Sequence, residues 1–178
     1  MPNDSVARLI ELVPPPGGTR PALDWESVEA QLDRTLPDDY KELADVYGAG
    51  QFDRYVLVHI PDGSRDYVDL SNAIQQGRER LDYFAARGET LPYRPDELLQ
   101  VATTDNGDSI YWAAPTGKEP NDWTIVVAGP RDFDEFPEYE LGLADFLVEV
   151  LSGRLKVEAF PPIFRMNHLD QLCRRVSG

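Results

Sequence analysis

The stretch from Leu98 to Ala128 constrains the fold more than any other part of the chain. Three runs, Leu98–Thr104, Ser109–Ala114 and Trp123–Ala128, are rich in β-branched and aromatic residues, which suit a pleated, half-buried surface. The first two flank Asp105-Asn106-Gly107-Asp108. Its Asn-Gly pair readily takes the positive φ angles of a tight hairpin turn. Three strands in succession predict an antiparallel meander. An earlier run, Tyr55–Ile60, lies between Asp53 and Pro61-Asp62-Gly63 and reads as a further strand.

Helical periodicity surrounds these strands. Val6, Leu9, Ile10 and Val13 share one face of a segment from Asp4 to Val13, and Pro14-Pro15-Pro16-Gly17-Gly18 ends it. Asp24 is a good N-cap for a short helix with Trp25, Val28 and Leu32 inward. Leu36-Pro37-Asp38-Asp39-Tyr40 starts another, with two aspartates at the positive end of its dipole and Tyr40, Leu43, Ala44 and Tyr47 on one face. Gly48 is expected to end it in a left-handed cap. Leu70–Arg87 and the face made by Leu143, Phe146, Leu147, Val150 and Leu151 complete the helices. Helices, strand, helix, meander and helix predict an α+β fold, with a largely antiparallel or mixed sheet and helices packed mainly on one side. One main core is expected, from Tyr40, Leu43, Tyr47, Val56, Val58, Val101, Tyr111, Trp112, Val126, Phe146, Leu147 and Val150.

Charge narrows the function. The chain has 178 residues and a net charge of −15, from 32 acidic and 17 basic side chains. Phosphate backbones and anionic lipids reward Lys and Arg, so neither nucleic acid nor membrane is an expected partner. A basic protein is. The imbalance is uneven: residues 154–178 hold five basic and two acidic side chains, leaving 12 basic and 30 acidic before them. Three segments are therefore expected: 1–21, a helix and Pro/Gly leash; 22–153, the α+β domain; and 154–178, a basic extension packed on it. Met166, Leu169, Cys173 and Val176 lie roughly at helical spacing in that extension. No run of 18 apolar residues occurs, and Met1–Glu11 lacks the basic start and apolar stretch of a signal peptide. The expected location is the cytoplasm.

The residue types for catalysis are sparse. One cysteine (Cys173) and two histidines (His59, His168) assemble no Cys/His zinc site without carboxylates. There is no G-x-S-x-G elbow and no P-loop. Gly48-Ala49-Gly50 begins like a dinucleotide fingerprint but ends a helix instead of opening one. Asp105–Asp108 is superficially similar to a calcium loop, but its third position is Gly107 and its twelfth is Thr116. No cofactor and no metal are expected.

The richest local pattern is Asp132, Asp134, Glu135, Glu138 and Glu140, interleaved with Phe133, Phe136 and Tyr139. One reading is a solvated loop whose aromatics hold it to the sheet. The other is a surface for a basic protein, with carboxylates steering the encounter and Phe136 as a central anchor. Asp105 and Asp108, in the hairpin turn, are the next choice for a partner face.

In this order, Trp25 with Glu29, Leu36-Pro37-Asp38-Asp39-Tyr40, Tyr47-Gly48-Ala49-Gly50, Leu98-Leu99, Asn106-Gly107-Asp108 running into Tyr111-Trp112, Trp123, Phe146-Leu147 and Leu151-Ser152-Gly153 give the chain a family resemblance. It resembles the SUKH superfamily, bacterial immunity proteins that also include a fungal cell-wall assembly regulator. The resemblance spans Trp25 to Gly153. It implies an α+β fold and a binding role, commonly protection of the producing cell against a polymorphic toxin, often a nuclease. It supplies no catalytic residues. Three functions follow for testing: an immunity protein; a scaffold or regulatory module with an endogenous protein partner; and a hydrolase using paired carboxylates such as Asp105 and Asp108.

Overall fold

A computed structural model describes residues 3–18, 20–61, 65–130, 135–161 and 169–171. Helices are α1 (Asp4–Leu12), α2 (Trp25–Leu32), α3 (Asp38–Tyr47), α4 (Leu70–Ala86) and α5 (Leu143–Leu151). Strands are β1 (Gly50–Phe52), β2 (Val56–Val58), β3 (Leu98–Thr104), β4 (Ser109–Ala113), β5 (Thr124–Ala128), β6 (Glu138–Tyr139) and β7 (Leu169–Gln171). They form one sheet in the order β6-β5-β4-β3-β2-β1-β7, and every neighbouring pair is antiparallel. The fold is α+β, with the β3–β4–β5 meander at its centre.

Alternation along these strands divides the interior in two. Ile110 and Trp112 of β4, with Ile125 and Val127 of β5, face α1, α3 and α5, while α2 adds Trp25, Val28 and Leu32 at its margin. Tyr111 and Ala113, with Val126 and Ala128, point the other way and pack with Leu81 of α4. All twelve expected core residues are buried. Tyr111 and Val126, expected in the main core, belong instead to the smaller one, because a period of two sends adjacent strand residues to opposite faces.

The strand expected over Tyr55–Ile60 shortens to Val56–Val58. A bulge in β3 between Gln100 and Ala102 shifts the register there. Beyond it, His59 N–H donates to the Val101 carbonyl (2.8 Å). Ile60 instead exchanges hydrogen bonds with Val68 (3.0 Å) and Leu70 (2.9 Å), tying the sheet to the start of α4. Gly48 ends α3, but at φ 62°, ψ −153°, outside the left-handed helical region expected for it. That conformation favours glycine, and a side chain there would also meet the Arg20 guanidinium.

Three strands lie outside the sequence reading: β1, β7, and β6 within the acidic run read as a loop. β1 pairs with β2 through a turn in which both Asp53 (φ 49°) and Arg54 (φ 56°) are left-handed. β7 falls in the basic extension. Where helical spacing was expected, Leu169–Gln171 is extended and pairs with β1, since three residues against an open strand edge gain main-chain hydrogen bonds at once. The remainder of the expected helical stripe lies outside the described residues. Earlier in the extension, Val157 and Phe160 are buried in the larger core.

Helix α4 approaches the sheet closely through Gly77. A Cβ on Gly77 would lie 2.8 Å from Gln100 Cβ and 3.3 Å from Tyr111 Cε1. Gly77→Ala should therefore destabilise by about 1–3 kcal/mol through overpacking, despite the gain of about 1 kcal/mol in helix propensity. Urea unfolding measures it, and an unchanged or raised midpoint would refute the close-packing account. His59 is 4% exposed, and burial lowers its pKa to about 4, against weaker raising effects of the Val68 and Tyr67 backbone and Asp69. Between pH 6.5 and 4 the unfolded chain thus binds more protons at this site than the native one. Stability from this group is full above pH 6.5 and falls with pH, by about 3 kcal/mol in all. His59→Gln should flatten that part of the stability–pH curve relative to wild type.

Candidate functional site

Strand β6 sits at one extreme of the sheet order. Val126 pairs with Glu138 and Ile125 with Tyr139, and Val127 N–H donates to the Pro137 carbonyl (3.1 Å). Alternation sets what each residue does. Tyr139 turns to the larger core, its ring 5.4 Å from Phe146, and burial raises its hydroxyl pKa. Phe136 packs half-buried against the smaller core beside Leu91 and Tyr93. Glu135, Glu138 and Glu140 are exposed. Aromatics thus hold the segment down and carboxylates face water.

Glu138 is positioned by two side chains that the sequence reading missed. The Tyr93 hydroxyl donates to both its oxygens (2.9 and 3.0 Å), and the Thr124 hydroxyl donates to Oε1 (2.5 Å). Burial, and then the Glu138 carboxylate, raise the Tyr93 pKa. These neutral donors orient the carboxylate without cancelling its charge. No periodic pattern marks Tyr93, which lies between Pro92 and Arg94 in an irregular segment. The pairing of β5 with β6 is the one signal that would have found Thr124. Asp132 and Asp134 lie outside the described residues.

The hairpin turn divides its two candidates. Asp105 is exposed, with its N–H donating to the Tyr55 carbonyl (2.9 Å). Asp108, expected on a partner face, is instead 2% exposed. Its carboxylate accepts from the Tyr55 hydroxyl (3.0 Å) and the Thr104 hydroxyl (2.5 Å), while its own N–H donates to Thr104 Oγ1 (3.0 Å). The Asn-Gly turn folds Asp108 inward because its carboxylate satisfies buried hydroxyl donors. The turn also neighbours the chain that leads into the acidic run: a Cβ on Gly107 would lie 3.4 Å from Pro130 Cβ.

Two cavities lie elsewhere. One, of about 240 Å³, lies between the end of α2 and α4 and is lined by Leu32, Arg34, Ile74, Arg78, Asp96 and Leu98, among others. The other, of about 250 Å³, lies where α3 and α5 begin; Asp38, Asp39, Trp112, Trp123 and Asp145 contribute to it. Its carboxylates are engaged: Asp38 accepts from Asn121 (2.9 Å) and pairs with Lys41 (3.2 Å), and Asp145 pairs with Arg8. Asp39 accepts from Ala144 N–H (2.9 Å) and Tyr40 N–H (2.7 Å). Neither cavity brings Asp105 and Asp108 together. Among the described residues, no group of three or more His, Cys, Asp or Glu is arranged to hold a metal ion. No helix among them is long and apolar enough to cross a membrane.

Asp39 caps α5 from another helix, because the local cap position, Gly142, offers no side chain. Asp39→Ala leaves two buried N–H groups unpaired and should cost about 1–3 kcal/mol. Denaturant unfolding at neutral pH checks this, and loss of exchange protection at Ala144 in the folded variant would locate it. An unchanged stability would remove Asp39 from the account of α5.

The comparisons bear on the same part of the chain. A family model described as SMI1-KNR4 cell-wall, SUKH_6, matches residues 22–147. No curated protein and no solved structure matches at a significant level.

Proposed function

We propose that this chain, which belongs to the SUKH superfamily, is an immunity protein that neutralises a cognate polymorphic toxin by binding it, without catalysis, in the cytoplasm. The partner is a basic protein domain, and a nuclease fits best because a nuclease must itself carry positive charge to hold its substrate. The observation that carries the reading is the acidic edge. Glu135, Glu138 and Glu140 project from a segment anchored by Phe136 and Tyr139, on a body with 30 acidic and 12 basic side chains before residue 154. Two hydroxyls fix Glu138 before any partner arrives, which lowers the ordering cost of binding. Asp132 and Asp134 extend the same run in sequence, and Asp105 stands at the neighbouring turn.

A regulatory or scaffold module is the second reading, favoured by the words "cell-wall" in the description of the matched family. The gene beside this one distinguishes the two, since an immunity protein needs a toxin gene next to it. The binding test is co-expression of that toxin domain with wild-type and altered protein, followed by association rates against salt. Neutralising Asp132, Asp134, Glu135 and Glu138 to their amides should slow association about tenfold at low ionic strength, with the difference closing as salt rises. Phe136→Ala should speed dissociation instead. Because Phe136 also packs on the protein's own core, its melting temperature is measured in parallel. A folded fourfold variant that associates at the wild-type rate in low salt would place the binding face elsewhere.

A further inference from the structure

The hairpin turn holds the one Asn-Gly pair in the chain. Asn106 and Gly107 are both exposed, and Gly107 has no side chain to shield its main-chain nitrogen. That nitrogen is a nucleophile one residue from the Asn106 side-chain amide. Two hydrogen bonds stand against its attack. Gly107 N–H donates to the Thr104 carbonyl (2.9 Å), and Asn106 Nδ2 donates to the Tyr55 hydroxyl (3.2 Å). The hydroxyl is committed in turn, donating to Asp108 Oδ2 (3.0 Å). Burial raises its pKa to about 12. It therefore keeps its single proton, gives that proton to Asp108, and offers Asn106 only lone pairs.

We propose that Asn106 is a site of spontaneous deamidation, restrained by the Tyr55 hydroxyl, and that its conversion unlocks the turn. The Gly107 nitrogen attacks Asn106 Cγ and gives up its proton. The new C–N bond closes a five-membered succinimide, and the side-chain nitrogen leaves with that proton as ammonia. Water then opens the ring at either carbonyl, yielding aspartate or, with the main chain rerouted through the side chain, isoaspartate. Water is the only reagent consumed. Either product exchanges an amide donor for a carboxylate. The Tyr55 hydroxyl then has one proton for two carboxylates, and the like charges repel across it. Asp108 is 2% exposed and cannot turn to water, so the turn has to give. The Tyr55 ring also meets Phe160 edge-on (5.5 Å), which carries the disturbance into the larger core. The group that slows the reaction is thus the group that transmits its effect.

The test incubates the full chain at neutral pH and follows the mass of a fragment spanning residues 88–118, whose one asparagine is Asn106. The fragment should gain one mass unit. Asn106→Gln, which would need a six-membered ring, should not. A synthetic peptide of residues 103–110 supplies the rate without the fold. The folded chain should convert about thirtyfold more slowly than the peptide, the rate equivalent of two ordinary hydrogen bonds, and Tyr55→Phe should recover about fivefold of that. Asn106→Asp tests the consequence and leaves Tyr55 in place, so it stands even if Tyr55→Phe does not fold. It should raise the unfolding constant about fivefold at neutral pH. The difference should close below about pH 4, where the new carboxylate is protonated. No gain in the folded chain through about a hundred half-lives of the peptide overturns the site. Equal rates in wild type and Tyr55→Phe overturn the restraint, and an unchanged unfolding constant in Asn106→Asp overturns the consequence. No partner enters the experiment, so its failure leaves the immunity reading untouched, and failure of that reading leaves this result standing.

Discussion

A carboxylate from one helix closes the first turn of another, and much of the molecule follows from that contact. Asp39 stands in the first turn of α3, where the helix dipole already favours it. One oxygen accepts from Tyr40 N–H and the other reaches Ala144 N–H in the first turn of α5. A Cβ on Gly142 would lie 2.8 Å from Asp39 Oδ2, so the residue before α5 must be small. Burial raises the pKa of Asp39, with Asp145 and Asp38 adding to the rise, against the pull of the two N–H donors. The ionised cap is thus held at some cost, and helix placement is what it secures. With α5 fixed, Phe146 enters the core and stacks beside Tyr139, which sets where β6 lies and which way Glu138 and Glu140 face. The acidic edge is therefore indexed, through α5, to a residue nearly a hundred positions earlier.

Tyr40, the next residue, does for the sheet what Asp39 does for the helices. Its ring meets Trp25 and Trp112 edge-on, at 5.8 and 4.9 Å, and its hydroxyl donates to the His59 carbonyl (2.8 Å). One side chain thus joins α2, α3, the meander and the chain just beyond β2. The neighbouring Leu36 N–H donates to Glu29 (2.8 Å), which also takes Lys41 (3.1 Å). The Trp25, Glu29 and Leu36–Tyr40 signature therefore describes a single clamp assembled from distant pieces, which is why the order of these weak signals carries more than any one of them.

Legibility in the sequence followed the range of the interaction responsible. Helix stops, caps and the Asn-Gly hairpin depend on a few adjacent residues, so Asp24 and the 98–104 and 109–113 strands are plain from the chain. The β1–β2 hairpin is not, because its turn uses Asp53 and Arg54 at positive φ where glycine or asparagine is the usual sign. The split of the core follows the alternation along β4 and β5, but that α4 would cover the second face, at the close approach of Gly77, is not written in any local pattern. At the candidate site the charge was visible, but which acids face water was not. Asp108 turned inward because Tyr55, fifty-three positions away, supplies a buried hydroxyl, and Glu138 is oriented by Tyr93 from a loop without periodicity. Long-range partners decide such cases, and composition does not register them.

The arrangement also bears on how a small domain presents more than one binding surface. The faces of this sheet are committed to the core: α1, α2, α3 and α5 cover one and α4 covers the other. Little of the meander is left to touch a partner. What stays variable without disturbing packing are the sheet's two outer strands and the turns at its ends. Edge strands are a hazard in free proteins because their unpaired amides recruit other strands. Here one outer strand is only two residues long and flanked by carboxylates, and at the other extreme β1 is covered by β7, a three-residue strand from outside the family-matched residues. Like charge at β6 discourages a second copy while attracting a basic protein. The same feature that keeps the free protein from self-pairing thus selects the sign of its partner, which lets the core stay constant while the edges specialise.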